Sequence, residues 1–147
     1  MYRITRKDKL SELEQATIWD GIETFSQTKV AATGRHELAF VLRNPNGELL
    51  GGVIGNYDNF GWLWIDSFWV SETLRGQGYG TKLINQIEQE ARKNGCEHSH
   101  LTSFSYQAVE FYKRRGYSVF GELKDYMPGH SRCWLRKSLS LQGSVDS

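Results

Sequence analysis

At 147 residues, with 39% apolar and 24% charged content, the chain has the size and composition of one folded domain able to bury its own core. A formal net charge of +1 argues against nucleic-acid or anionic-membrane partners, and two cysteines are too few for a disulfide framework. No apolar run approaches the roughly 18 residues a membrane span needs, and the opening MYRITRKDKL has no apolar signal core, so a cytoplasmic address is expected.

Residues 2–6 alternate and predict a short first strand. Ser11-x-x-Glu14 fits a capping box ahead of a helical stripe of Leu10, Leu13, Thr17 and Ile18. A second helical piece is expected over 20–27, with Ile22 and Phe25 turned inward, and then a loop over 28–36. Residues 38–42 and 48–55 read as strands joined into a hairpin by Asn44-Pro45-Asn46-Gly47. Gly51, Gly52 and Gly55 are unusual inside a strand and signal either a bulge or an element packed directly on the backbone.

After a turn over 57–61, residues 62–70 form a third antiparallel strand. Strict alternation puts Trp64, Asp66, Phe68 and Val70 on one face, and Leu63, Ile65, Ser67 and Trp69 on the other. A helix follows with Leu83, Ile84, Ile87 and Ala91 on one face and Asn94-Gly95 as its stop. Because this helix is a crossover, the next strand, over 97–102, is the parallel neighbour of the third. Ser103 or Ser105 is placed to cap a helix through Arg115, with Ala108, Phe111 and Tyr112 on one face and Gly116 at its end. Strands over 117–123 and 133–139 flank a loop, LKDYMPGHSR, and 141–147 reads as a flexible tail. The order predicts a single domain over 1–140 with an α/β (α+β) fold, a mixed central sheet of about six to seven strands with helices on both faces. Cys96 and Cys133 are expected as buried free thiols, and His36, His98 and His100 as structural residues with no metal between them.

Between the third strand and its helix lies Val70-Ser71-Glu72-Thr73-Leu74-Arg75-Gly76-Gln77-Gly78-Tyr79-Gly80-Thr81. Gly76, Gly78 and Gly80 remove side chains where free backbone N–H groups converge on a helix N-terminus, a socket for phosphate oxygens, with Arg75 at its edge. The lysine-containing P-loop pattern is absent, and Thr81 stands where the dinucleotide fingerprint needs a third glycine. What remains is [Q/R]-x-x-G-x-[G/A], read as Arg75-Gly76-Gln77-Gly78-Tyr79-Gly80.

This hexapeptide resembles the acyl-CoA pyrophosphate loop of the GNAT superfamily of N-acetyltransferases. A second stretch at the expected separation, Ala108-Val109-Glu110-Phe111-Tyr112-Lys113-Arg114-Arg115-Gly116-Tyr117, is similar to that family's A-x-x-F-Y-x-K-x-G-[FY] helix and turn, with Arg114 for the lysine. The resemblance covers residues 2–139, and TSFSYQAVEFYKRRGY with the residues after it looks like a bacterial subgroup.

The resemblance implies acetyl-CoA as co-substrate. Its pantetheine arm would bond backbone groups around Phe68, Trp69 and Val70, its pyrophosphate would be wrapped by residues 70–81, and Ser105, where the family has asparagine, would hydrogen-bond a pantetheine amide. Tyr112 is implied as the general acid for the departing sulfur, since a phenol with a pKa of about 10 is protonated at neutral pH. Trp64 occupies the strand position where some relatives carry a glutamate base. Asp66, two residues on, is the candidate base if the rings around it desolvate it. It is otherwise an anchor for the substrate amine or a structural hydrogen-bonding group, and a water relay to backbone carbonyls needs no dedicated base. His130 and Arg132 fall in a loop that often borders the acceptor in this family.

Three activities stand open at this stage: acetylation of a small-molecule amine, acetylation of a protein lysine or N-terminus, and acyl-CoA binding without catalysis. Intact Arg75, Gly78, Gly80 and Tyr112 weigh against the last. A homodimer, paired through an edge strand containing Cys133-Trp134-Leu135, is the one protein partner suggested.

Overall fold

The computed structural model describes residues 1–31 and 34–140; the tail expected over 141–147 lies outside the described residues. The chain divides into two compact units, Met1–Thr33 and the part from Gly34 onward.

In the first unit, residues 2–6 form no strand, and a single helix, α1 (Glu12–Gln27), replaces the two helical pieces expected. Its capping box is complete: the Glu14 N–H donates to Ser11 Oγ at 3.1 Å, and the Ser11 N–H donates to Glu14 Oε1 at 2.8 Å. That backbone bond, aided by Lys7, holds the Glu14 carboxyl below its usual pKa. The helix runs through residue 20 because neither Asp20 nor Gly21 is followed by a stop signal. Within this unit, Ile22 and Phe25, expected inward, are left exposed.

The second unit contains a six-stranded sheet in the order β1-β2-β3-β4-β6-β5. β1 (His36–Arg43), β2 (Leu49–Tyr57) and β3 (Trp62–Val70) form an antiparallel meander. α2 (Tyr79–Lys93) carries the chain over to β4 (His98–Phe104), which pairs with β3 in parallel, as the crossover requires. The short α3 (Val109–Arg114) leads to the hairpin of β5 (Ser118–Met127) and β6 (His130–Ser138). Neither Ser103 nor Ser105 caps α3, whose N-cap is Ala108.

Three expectations are corrected by this topology. LKDYMPGHSR is not a loop: strand pairing continues to Met127 and resumes at His130, and only Pro128-Gly129 turns. β6 lies between β4 and β5, so Cys133-Trp134-Leu135 cannot pair with a second copy as an edge strand. The strict alternation drawn for β3 fails at a bulge. Ile65 pairs with Gly55 and Ser67 with Ile54, leaving Asp66 as the extra residue. The slip shifts every later side chain to the opposite face, so Phe68 and Val70 join Leu63 and Ile65 on the core side, while Asp66, Ser67 and Trp69 are exposed.

That core lies under α2. Leu83, Ile84, Ile87 and Ala91 are buried on it, and each of the three larger side chains contributes about 1.5–3 kcal/mol relative to exposure. Both readings offered for the β2 glycines apply at Gly55. It sits at the bulge, and a methyl group there would meet Ile87 Cδ1 at 3.1 Å and the Trp64 carbonyl at 2.5 Å. Cys96 and Cys133 are buried and unpaired. No helix among the described residues is long and apolar enough to cross a membrane.

Candidate active site

The parallel ladder between β3 and β4 is short, with its last pair at Trp64 and His100. β3 nevertheless continues to Val70 and β4 to Phe104, where β4 is held by β6. The bulge at Asp66 follows the last pair almost at once, and a bulge bends its strand and increases its twist. The two strands therefore part, and a cleft of about 910 Å3 opens between them. Its wall includes a free strand edge, which can accept an extended ligand through main-chain hydrogen bonds.

At one end of the cleft, β3 passes through a 310 turn (Glu72–Leu74) into the glycine loop and α2. Gly76 and Gly78 hold φ of +77° and +88°, and the space beside each is open to 4 Å. Gly78 is the N-cap and gives no side-chain cap. The N–H groups of Tyr79, Gly80 and Thr81, which begin the helix, have no hydrogen-bond partner among the described residues. Free amides, a helix dipole and a bare concavity coincide, as an anion requires. Arg75 is braced by donation from its Nε to the Val70 carbonyl at 2.9 Å, leaving the rest of its guanidinium at the rim. Arg115 donates to Thr81 Oγ1, and with Arg114 it gives the same end two further positive charges.

Tyr112 lies deeper, 5% exposed, with Phe68, Phe111 and Tyr117 around its ring at centroid distances of 6.0, 5.4 and 5.7 Å. Burial raises its pKa well above the ordinary phenol value. No buried side-chain oxygen among the described residues lacks a partner, so the Tyr112 hydroxyl, which makes no hydrogen bond to the fold, opens to the cleft that the residue lines. Asp66 lines the cleft too, as its one carboxylate among the described residues. It is exposed and lacks the desolvating rings expected around it, because the bulge turns Phe68 to the other face.

The cleft thus brings together ten of the residues singled out from sequence: Asp66, Phe68, Trp69, Val70, Arg75, Gly76, Gly78, Gly80, Thr81 and Tyr112. The side chains of three others turn away from it, although the Tyr79 N–H is one of the free amides. Gln77 turns back to donate to the Thr73 carbonyl at 3.0 Å. Tyr79 packs on the core with Lys82 over its ring. Ser105 Oγ accepts from the Ser131 N–H at 2.9 Å and so ties the end of β4 to β6. Sequence reasoning missed Thr102, Ser103, Tyr106 and Gln107 in the cleft wall, and Arg115 beside Thr81. The Arg114-Arg115 pair at a helix end was the available signal, though only packing brings it to a loop 34 positions earlier.

A protein-family model described as the acetyltransferase (GNAT) family matches residues 1–117. The chain belongs to that family. This GNAT domain is 32% identical over 127 residues to an acetyltransferase of Agrobacterium fabrum, covering 86% of this chain and 91% of that protein. It is 39% identical over 94 residues to the blasticidin-S acetyltransferase of Streptomyces morookaense, covering 63% of this chain and 68% of the other. Among solved structures, an acetyltransferase from Bacillus cereus superposes with a TM-score of 0.83 at 33% identity, covering 91% of this chain and 97% of that one. The mixed sheet of the GNAT fold, expected from the two motifs, is the sheet observed.

Proposed function

We propose that this GNAT acetyltransferase moves an acetyl group from acetyl-CoA to the primary amine of a small molecule, by direct transfer with both substrates bound. The observation that carries the reading is the parting of β3 and β4 beyond Trp64 and His100, with unpartnered helix amides at one end and Tyr112 inside.

Acetyl-CoA supplies the activated thioester. The amides of residues 79–81, with Arg75, Arg114 and Arg115, form a positive seat suited to a diphosphate. The free edge of β3 around Phe68, Trp69 and Val70 aligns an extended arm and so raises the effective concentration of the reacting groups. Tyr112 holds its proton at neutral pH because burial disfavours the phenolate. The C–S bond breaks as the amine nitrogen bonds to the carbonyl carbon; Tyr112 gives its proton to the sulfur and recovers one from the acylated nitrogen, which loses it through water in the cleft. The same apolar surroundings would make a thiolate more basic, so they do not oppose that transfer. Asp66, open to water, holds the substrate ammonium, which loses its proton directly to solvent before attack. Its exposure favours this anchoring role over that of a base tuned by desolvation.

A small-molecule acceptor is supported by the relative named for blasticidin S. The non-catalytic alternative is disfavoured because Arg75, Gly78, Gly80 and Tyr112 are all present and converge on one cleft. Calorimetric titration with acetyl-CoA, followed by assay of free CoA thiol across small amines and peptides, tests the reading. Saturable binding with thiol release driven by small amines is expected. Tight binding with no acceptor raising turnover would overturn the proposal in favour of a binding module.

A further inference from the structure

Beside the mouth of the cleft, three rings form a shelf. Phe104 stacks on Tyr106 at 5.6 Å with planes 4° apart, and on Tyr126 at 5.7 Å and 23°. His130 meets Tyr106 edge-on at 4.9 Å. Tyr106 is also part of the cleft wall, so shelf and cleft are continuous. Tyr106 and Tyr126 are 54% and 48% exposed, an unusual amount for rings already organised into a stack.

The shelf is built stiff. The Arg132 guanidinium lies over Phe104, Tyr126 and Trp134 at 5.7, 5.5 and 5.1 Å, a cation held by three rings. The Phe104 N–H donates to Gln107 Oε1 at 3.0 Å, and the Ser105 N–H donates to the Ser131 carbonyl at 2.8 Å. On the opposite strand, the ladder breaks between Leu123 and Met127, where Asp125 adopts a φ of +52°; a bulge of this kind re-aims the side chains beside it. Rings fixed in advance bind a flat partner with little loss of side-chain freedom.

We propose that this shelf selects an acceptor whose single amine is tethered to a flat conjugated ring, the ring packing against Tyr106, the member of the stack that lines the cleft, while the ammonium reaches Asp66. The proposal rests on the transferase reading for the chemistry but adds the substrate class. Charge supports one ammonium over several. Among the described residues Asp66 is the one carboxylate of the cleft wall, and the Arg132 guanidinium stands at the shelf. A polyamine would bring several ammonium groups to one counter-charge beside that cation.

The test compares amines that share an aminoalkyl end. With acetyl-CoA saturating, kcat/KM for tyramine is expected to exceed that for butylamine and for spermidine by about tenfold or more. Tyr106→Leu, apolar but without a ring, should bring the tyramine-to-butylamine ratio near unity, whereas Tyr106→Phe should retain it. Equal use of ringed and ring-free amines, a preference for spermidine, or an unchanged ratio in the leucine variant would overturn the shelf. Saturation-transfer NMR to the tyramine ring protons, recorded with CoA present, separates this from the transferase reading. Transfer seen in the parent and lost in Tyr106→Leu, without turnover of any amine, supports the shelf while removing the enzyme; no transfer removes the shelf.

Discussion

The Tyr117 hydroxyl donates to Glu88 Oε2 at 2.8 Å, joining the residue before β5 to the buried side of α2. Because that proton is committed to the carboxylate, the Ser99 hydroxyl, 2.7 Å away, donates to the phenol oxygen. Lys137 Nζ completes the group at 2.8 Å from Glu88 Oε1. The Glu88 side chain is 2% exposed, so its charge depends on these partners. Glu88→Ala should cost about 2–3 kcal/mol by leaving the part-buried Lys137 ammonium and the buried Tyr117 hydroxyl without their acceptor, and Tyr117→Phe about 1–2 kcal/mol. Urea midpoints falling in that order at unchanged slope would bear this out.

The same region makes the protein sensitive to alkali. Burial raises the pKa of both Tyr112 and Tyr117, and for Tyr117 the Glu88 charge adds to the effect. The unfolded phenols titrate near pH 10, so the folded state binds these protons more tightly. Their contribution is complete below about pH 10 and is lost as pH rises toward the folded values, at up to about 1.4 kcal/mol per unit for each group. Urea midpoints measured between about pH 8 and about pH 11 should fall steeply above 10, and less steeply in Tyr117→Phe.

The loop glycines differ in what they protect. Gly76 and Gly78 have positive φ and open space, so an alanine suffers backbone strain of about 1–2 kcal/mol and puts a methyl group into the anion seat. In Gly80→Ala the new methyl would lie 3.1 Å from Phe68 Cζ and push on the ring that flanks Tyr112. Calorimetry should show CoA binding weakened about tenfold or more in Gly78→Ala. In Gly80→Ala, kcat should fall more than affinity.

For Tyr112→Phe, loss of the proton donor predicts kcat lower by about a hundredfold, with the acetyl-CoA KM little changed. The hydroxyl opens to the cleft and ties no other element down, so the melting temperature should hold. Steady-state kinetics beside a thermal melt distinguish this from a packing role, which would move both.

Local patterns were legible in the chain and long-range ones were not. Gly76 to Gly80 and Phe111-Tyr112 each lie within one turn or helix, so their spacing alone carries the geometry. The face of Phe68 could not be read, because one inserted residue at Asp66 reverses the alternation and only the register with β2 reveals it. β5 was cut short because, as an edge strand with mostly exposed residues, it offers little apolar alternation. Arg115 beside Thr81 and the shelf of Phe104, Tyr106 and Tyr126 are products of packing between distant segments.

Asp66 allows its two sequence-level roles to be told apart. As an anchor for the ammonium, its replacement in Asp66→Asn removes a charge from binding and leaves Tyr112 and the donor seat untouched. The acceptor KM should then rise about tenfold, with kcat within about threefold of the parent. As a base, the carboxylate would act in the transition state, so kcat would fall and the acidic limb of the kcat profile would disappear. Its exposed position at the bulge, hydrogen-bonded within the described residues only to its neighbour Ser67 at 3.4 Å, leaves it free to meet a ligand and keeps it in water. A rise in KM with an unaltered kcat profile is therefore the expected result, read from the acceptor dependence at saturating acetyl-CoA.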